Sequence, residues 1–591
     1  MPKPNNILSK LLIWRIKNVS DKNFVMGVAL LIGAFGALSA WVLKTGIFYT
    51  QEYVINTIQT GRTKYLQLAL PFIGIFLTVA LCKFLVKRKI GSGIVRILQS
   101  ISTNKSEMRG KGTWAYLVTS TLTVSFGGSA GLEAPIVATG ASIGSNLGKL
   151  FHLSYKDKTL LLGCGAAAAI AAIFNAPVTG VIFALEVLML DLTMSSMIPL
   201  LLASVSGATF ARVLIGTEVL LNVELTEEFI PGQFAFFILL GLLTGIISFY
   251  FTKVNLAIAS FFNARKGYLR KTMIGGVLLG VIILAFPPLF GDGYYAIKAI
   301  LTGNPDSIWE NSFFFEEGAV WKMVLFLFLT LILKAVATGV TIGSGGVGGV
   351  FAPALFMGGI SGFIFARITN LIGVYEVSEK NFTLVGMAGV IGGVQHAPLT
   401  AIFLVSELSN GYDLFIPLMI TASAAYLTTK FFSPYSIYTG RLQAEKALIT
   451  HNKDQAVITL MDFKKLIEKN FAVINVNENL REVVKAVSKS SRNTFPVVNN
   501  DKEFLGVIEL DDIRDVMFNS DLYDEIKVED LMHPHVGVID MKDDKEDVLQ
   551  FFRDTGAWIV PVLENKKYVG FISRSKLFSE YRRMIAKFSE D

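Results

Sequence analysis

Charge is scarce in this chain. Only 17% of its 591 residues are Asp, Glu, Lys or Arg, where a soluble protein carries roughly a quarter. With 52% hydrophobic residues and a mean hydropathy of +0.53, an ordinary soluble globule is excluded. Cysteine is nearly absent. Cys82 and Cys164 both fall in apolar segments and imply buried small hydrophobes, not a disulfide framework. The five histidines (His152, His396, His451, His533 and His535) are scattered, which makes an intramembrane enzyme the least favoured class. Only His396 lies in a core motif, where it mirrors Asn175 before Ala-Pro as a helix cap would. Clustered Asp/Glu at membrane depth, which a cation site would want, are few.

Long apolar runs are present instead: Phe24–Leu43, Tyr65–Val86, Gln233–Phe251, the shorter Thr272–Phe286, and Met323–Val340. About 20 such residues cross a ~30 Å hydrocarbon layer, so a polytopic membrane protein is expected. The first run follows Lys10, Arg15, Lys17 and Lys22 without a small-residue cleavage site, and reads as a membrane helix, not a leader. Basic clusters at Lys3–Lys22, Lys83–Lys89, Lys105–Lys111 and Arg265–Lys271 contrast with acidic ones at Glu218–Glu228, Asp306–Glu317 and Glu376–Glu379. The positive-inside rule puts the basic loops in the cytoplasm. Both termini are expected there, in a bacterial inner (cell) membrane. The net charge of +7 is then a topological signal, with no nucleic-acid partner implied.

Composition shifts near Gly440, after which glycine thins out and charged α/β patterning begins. The expected organisation is a cytosolic basic segment 1–22, a membrane domain 23–440, a linker 441–456, and two soluble modules, 457–520 and 521–591. Both large blocks repeat internally. "GLEAP" (Gly131–Pro135) matches "GVFAP" (Gly349–Pro353), and "FNAPVTGVIFALE" (Phe174–Glu186) matches "QHAPLTAIFLVSE" (Gln395–Glu407), with proline offsets of 218 and 221. The repeats are about 23–215 and 231–430. Gly/Pro-broken copies of one membrane unit point to a transporter with its site at the repeat interface; spacing alone leaves parallel and inverted copies both open. In the soluble block, Pro496/Pro561 and Gly506/Gly570 recur at offsets of 65 and 64.

A helix starting inside the bilayer presents unpaired N–H groups and about half a positive charge. Facing a water-lined cavity, such ends bind an anion loosely enough for it to leave. Candidate ends are Gly91-Ser92-Gly93, Gly131–Pro135 and Gly349–Pro353. Ser92 would add a hydroxyl, and the N–H groups of Val350 and Phe351 would add two donors. Close packing of small residues is the plainer alternative. Glu133 sits in the second motif, and an ionised carboxylate at that depth costs roughly 2.5–3.5 kcal/mol. It can take the anion's place when charged and release it when protonated. Capping of its own helix is the plainer role. Its repeat-mate is Phe351.

These motifs resemble the CLC family of chloride channels and proton/chloride exchangers. "GSGI" (Gly91–Ile94), "GLEAP", "GGVFAP" (Gly348–Pro353) and "SIYTGRL" (Ser436–Leu442) stand in that family's order, over roughly residues 10–445. The resemblance implies an all-α membrane domain of two inverted repeats with broken helices, working as a homodimer with one pore per subunit. It assigns Ser92 and Tyr438, with the Val350 and Phe351 amides, to chloride, the glycines Gly91, Gly93, Gly131 and Gly349 to the same motifs, and Glu133 to the gate. The soluble repeats resemble a cytosolic α/β CBS pair.

Departures shape the functional expectation. Val95, Leu132 and Ala134 replace the family's usual proline, basic residue and glycine. Val187 stands where exchangers usually carry an inward proton-handling glutamate, and Glu186 beside it would face another way. Valine there favours a passive chloride channel, with a proton-coupled antiporter the alternative and a membrane-anchored nucleotide sensor a further one. Ser92 and Tyr438 favour chloride over fluoride, and the serine favours it over nitrate. In the CBS pair the ribose-binding pattern is divided: Asp512 is in place in the first copy but with Glu509 at the Ser/Thr position, and Ser573 in the second but with Lys576 at the acid. An adenine nucleotide there is one reading and a dimerising scaffold the other; no cofactor is otherwise required and no metal is expected.

Overall fold

The computed structural model describes residues 15, 17–59, 66–87, 90–91, 93–189, 194–216, 230–310, 312–316, 318–409, 411–444, 461, 463–541, 543 and 545–589. The chain divides into two compact units, Met1–Leu448 and Ile449–Asp591. Most of the expected N-terminal segment and linker lies outside the described residues, as does Ser92.

The first unit is helical. Its first half comprises α1 (Asp21–Gln59), α2 (Leu66–Leu81), α3 (Gly93–Thr103), α4 (Gly112–Ser125), α5 (Glu133–Leu150), α6 (Tyr155–Phe174), α7 (Pro177–Glu186) and α8 (Met194–Ile215). The second comprises α9 (Phe234–Asn263), α10 (Tyr268–Ala285), α11 (Tyr294–Leu301), α12 (Val320–Gly343), α13 (Phe351–Ile372), α14 (Glu379–Gln395), α15 (Pro398–Leu408) and α16 (Phe415–Phe432), closed by α17 (Ile437–Ala444). Among the described residues nine helices are long and apolar enough to cross a membrane, while α7 and α15 are apolar but short.

The repeat is visible in the packing. A Cβ on Gly140 of α5 would stand 2.1 Å from the Gly165 carbonyl of α6, and one on Gly165 would stand 2.0 Å from the Gly140 carbonyl. The second copy does the same with Gly358 of α13 and Gly386 of α14, at 2.4 Å each way. Only glycine permits backbones this close. α6 and α14 end on Asn175 and His396, both left-handed with φ of 56°, and their amides close onto the Ala171 and Gly392 carbonyls. This is the usual helix stop. Pro177 and Pro398 then open α7 and α15, where proline's missing N–H costs nothing.

Those two short helices cap each other. Glu407, in the last turn of α15, accepts from the Val178 and Thr179 amides at 3.0 and 2.8 Å and from the Thr179 hydroxyl at 2.5 Å. Glu186, the last residue of α7, accepts from Leu399 and Thr400 at 3.1 and 2.7 Å and from the Thr400 hydroxyl at 2.7 Å. Each helix's end lies at the other's start, so the copies are antiparallel and related by a two-fold axis across the helices. The repeats are inverted.

The second unit holds two three-stranded sheets. The first contains β1 (Ile474–Asn475), β2 (Thr494–Val498) and β3 (Phe504–Glu509), and the second β4 (Ile539–Asp540), β5 (Ile559–Glu564) and β6 (Lys567–Ser573). Each has a parallel and an antiparallel pair, with Val497 opposite Gly506 and Val562 opposite Gly570. The glycines recur for one reason. The segment leading into each sheet passes over the last strand of the other sheet, pairing His533 with Val507 and Glu468 with Phe571. A Cβ on Gly506 or Gly570 would meet the His533 or Glu468 carbonyl at 2.6 Å.

Candidate chloride site

Gly131 and Gly349, which precede α5 and α13, pair in an antiparallel bridge. Gly131 N–H donates to the Gly349 carbonyl at 2.9 Å and Gly349 N–H to the Gly131 carbonyl at 2.7 Å. Threonines one turn before the loops complete the symmetry. Thr341 Oγ1 accepts from the Ser129 amide at 3.1 Å, and Thr123 Oγ1 from the Val347 amide at 3.0 Å. The repeat-mates Gly131/Gly349, Thr123/Thr341 and Ser129/Val347 all keep the 218-residue offset. The starts of α5 and α13 are thereby held against each other, each presenting first-turn N–H groups that lack intrahelical partners and a positive dipole end. α3 joins them: a Cβ on its first residue, Gly93, would stand 2.3 Å from the Ala134 carbonyl.

Glu133, the first residue of α5, is 1% exposed. Its Oε1 accepts from the Tyr294 hydroxyl at 2.6 Å and its Oε2 from the Ala352 amide at 3.4 Å. The acid of one repeat therefore sits at the helix start of the other, while also interacting with its own backbone amide at the start of α5. Val350 and Phe351 are buried beside it, but the amide that reaches the carboxylate is Ala352, one residue beyond the pair singled out from the sequence. Phe351 packs against Phe174 with the rings tilted and 5.4 Å between centroids.

Tyr438, on α17, is 2% exposed. Its hydroxyl has no hydrogen-bond partner among the described residues, and α17 packs on α3, α9 and α14. Gly91 is exposed. Val187 follows α7 directly, buried, and Glu186 is committed to capping α15. The sequence reading missed Tyr294, which belongs to no motif, and the carboxamide of Gln395, buried at the end of α14 with both polar atoms unpartnered among the described residues. Only the repeat-mate relation of Gln395 to Phe174 would have drawn attention to it.

A model of the voltage gated chloride channel family matches residues 74–430, more than half of the chain. The protein belongs to the CLC family. In this CLC protein, models of the CBS domain match residues 463–519 and 528–583. An uncharacterised protein of Methanocaldococcus jannaschii is 31% identical over 407 residues, spanning 68% of this chain and 93% of the relative. The H+/Cl− exchange transporter ClcA of Vibrio parahaemolyticus is 29% identical over 317 residues, 52% of this chain and 64% of ClcA. The crystal structure of a slow cyanobacterial Cl−/H+ antiporter shares the fold, with a TM-score of 0.63 at 22% identity, covering 73% of this chain and 99% of that one. Chloride transport across a membrane is thus this protein's family activity.

CBS domains commonly bind adenine nucleotides, but here the motif residues are engaged within the chain. Asp512 Oδ2 accepts from the Glu509 amide at 2.6 Å and lies 3.1 Å from His533 Nε2. The Ser573 hydroxyl donates to Glu468 Oε1 at 2.5 Å, and Arg492 donates to Glu468 Oε2 at 2.7 Å. Burial works against the Glu468 charge, yet the Ser573 and Arg492 bonds outweigh it and hold the carboxyl below its usual range. In this arrangement Asp512 Oδ2 and the Ser573 hydroxyl already have partners within the chain.

Proposed function

We propose that this CLC protein exchanges chloride for protons, with Glu133 as both the competitor of the anion and the carrier of the proton. The observation that supports it is the Glu133 carboxylate lying 3.4 Å from the Ala352 amide, where the starts of α3, α5 and α13 meet. A carboxylate and a chloride want the same N–H groups and exclude each other there. Protonation weakens the carboxylate's hold and admits the halide. Glu133 at 1% and Tyr438 at 2% exposure fit a site closed on both sides during the swap. The 29% identity to an exchange transporter agrees. In this reading the Val350 and Phe351 amides, the Tyr438 hydroxyl and Ser92 bind chloride, while Gly91, Gly93, Gly131 and Gly349 let the backbone approach.

A passive channel is the second reading, favoured by Val187 at the inward position and by the commitment of Glu186 elsewhere. Recording pH during chloride efflux from liposomes separates them: a chloride gradient that drives protons uphill supports exchange, and fast dissipative flux without proton movement supports the channel. We read the protein as a homodimer in the cell membrane with both termini cytoplasmic. The repeat-mates Val178 and Leu399, exposed at the starts of the mutually capped helices, suit such an interface. The CBS pair is read as a scaffold, to be tested by thermal shift with ATP and AMP.

A further inference from the structure

Close to Glu133 lies a set of charges that the exchange reading does not use. Lys334 of α12 has no exposed surface. Its Nζ donates to the Gly291 carbonyl at 3.3 Å and lies 4.8 Å from the centroid of the Phe356 ring on α13. A Cβ on Gly293 would stand 3.2 Å from that Nζ. The next residue, Tyr294, opens α11 and donates its hydroxyl to Glu133 at 2.6 Å. Asp292 Oδ1 in turn accepts from the Tyr294 amide at 3.1 Å. Four consecutive residues, 291 to 294, therefore join an ammonium, a carboxylate and a phenol to the acid of the chloride site.

The arrangement has a chemical logic. A buried ammonium needs an opposite charge nearby, and Asp292 is the acid that interacts with it. A phenol hydrogen-bonded to a carboxylate favours the charged form of that carboxylate. Position 132, beside the gate, is leucine, and Lys334 is joined to Glu133 only through Gly291, Asp292 and Tyr294. Tyr438 on α17 also interacts electrostatically with Glu133 and with Arg441. Lys44 on α1, Arg96 on α3 and Tyr116 on α4 sit on other helices packed against α5.

We propose that Tyr294 is a latch that holds ionised Glu133 in the blocking position, and that the Asp292–Lys334 pair sets the strength of that latch. Tyr294 is a positioning residue, acting through Glu133. The inference rests on the reading of Glu133 as the gate.

The test is chloride efflux from liposomes as a function of external pH, for the full chain and for Y294F, D292N and K334M, each also in an E133Q background. Flux rises as Glu133 protonates, so any change that disfavours its charge moves the profile toward higher pH. Y294F removes one charge-assisted hydrogen bond at almost constant shape and is expected to move the half-maximal pH up by about one unit. K334M is expected to move it the same way, and D292N the opposite way. In the E133Q background none of the three should move it. A Y294F profile that overlays the wild type, or a shift that persists with E133Q, overturns the latch while leaving the gate intact. D292N and K334M shifting in the same direction overturns the electrostatic role of the pair. If E133Q alone keeps the full pH dependence, the gate reading itself fails, and the latch with it.

Discussion

Glu186 and Glu407 cap each other's helices across the two halves of the membrane unit, each accepting two amides and a threonine hydroxyl. The two residues are repeat-mates 221 positions apart, so one inherited contact serves both copies. Carboxylates bonded to helix N-termini are stabilising near the positive dipole end, and here they tie the two repeats together.

Removing either carboxylate is therefore expected to cost stability without touching proton coupling. E186Q or E407Q should each lose about 1–3 kcal/mol, the cost of a charge-assisted bond made neutral. The check is thermal unfolding in detergent beside transport: a lowered midpoint with an unchanged proton-to-chloride ratio. A changed ratio at full stability would make Glu186 a proton carrier.

Gly131 and Gly349 hold the helix starts together through their paired backbones. A Cβ at 131 would stand 3.0 Å from the Ala352 amide nitrogen, and one at 349 would stand 2.9 Å from the Ala134 Cβ. G131A and G349A are each expected to cost about 1–3 kcal/mol by overpacking and to reduce chloride efflux strongly, because the N–H groups are pushed apart. Wild-type efflux from G349A would show that the bridge does not shape the site.

The two halves of the site were unequally legible. Sterics admit few residues but glycine at Gly131 and Gly349, proline opens a helix without loss at Pro177 and Pro398, and the offsets of 218 and 221 residues align them from the sequence alone. Glu133 stood out as an acid in an apolar run. Its partners did not: Tyr294 lies 161 residues away in sequence, in no motif, and the Ala352 amide is a backbone group that side-chain patterns cannot mark. Likewise Asp512 and Ser573 were readable as motif positions, but not that His533 and Glu468 engage them, since those contacts depend on how the two CBS copies interlock.

Val187 provides a test of the inward side. V187E restores a carboxylate at the position that favours the channel reading, and is expected to raise the proton-to-chloride ratio measured in liposomes while chloride flux continues. An unchanged ratio in a folded variant would remove position 187 from the proton path.

In the CBS pair, Glu468 predicts a pH-dependent stability. Its folded carboxyl titrates below the unfolded value, so its contribution is fully present above about pH 4.3, the unfolded reference for glutamate, and is lost as pH falls through the folded value. E468Q should lower the unfolding temperature of the soluble unit in the full chain at pH 7, with the difference from wild type shrinking toward pH 3. A difference that stays constant across that range would mean packing, not charge, is what Glu468 supplies.

The competition of one acid with the halide is tested most directly by E133Q, with chloride efflux and proton uptake recorded together in the same liposomes. Chloride flux should continue at a rate independent of pH while proton movement stops. Protons still driven uphill by chloride through E133Q would contradict the account.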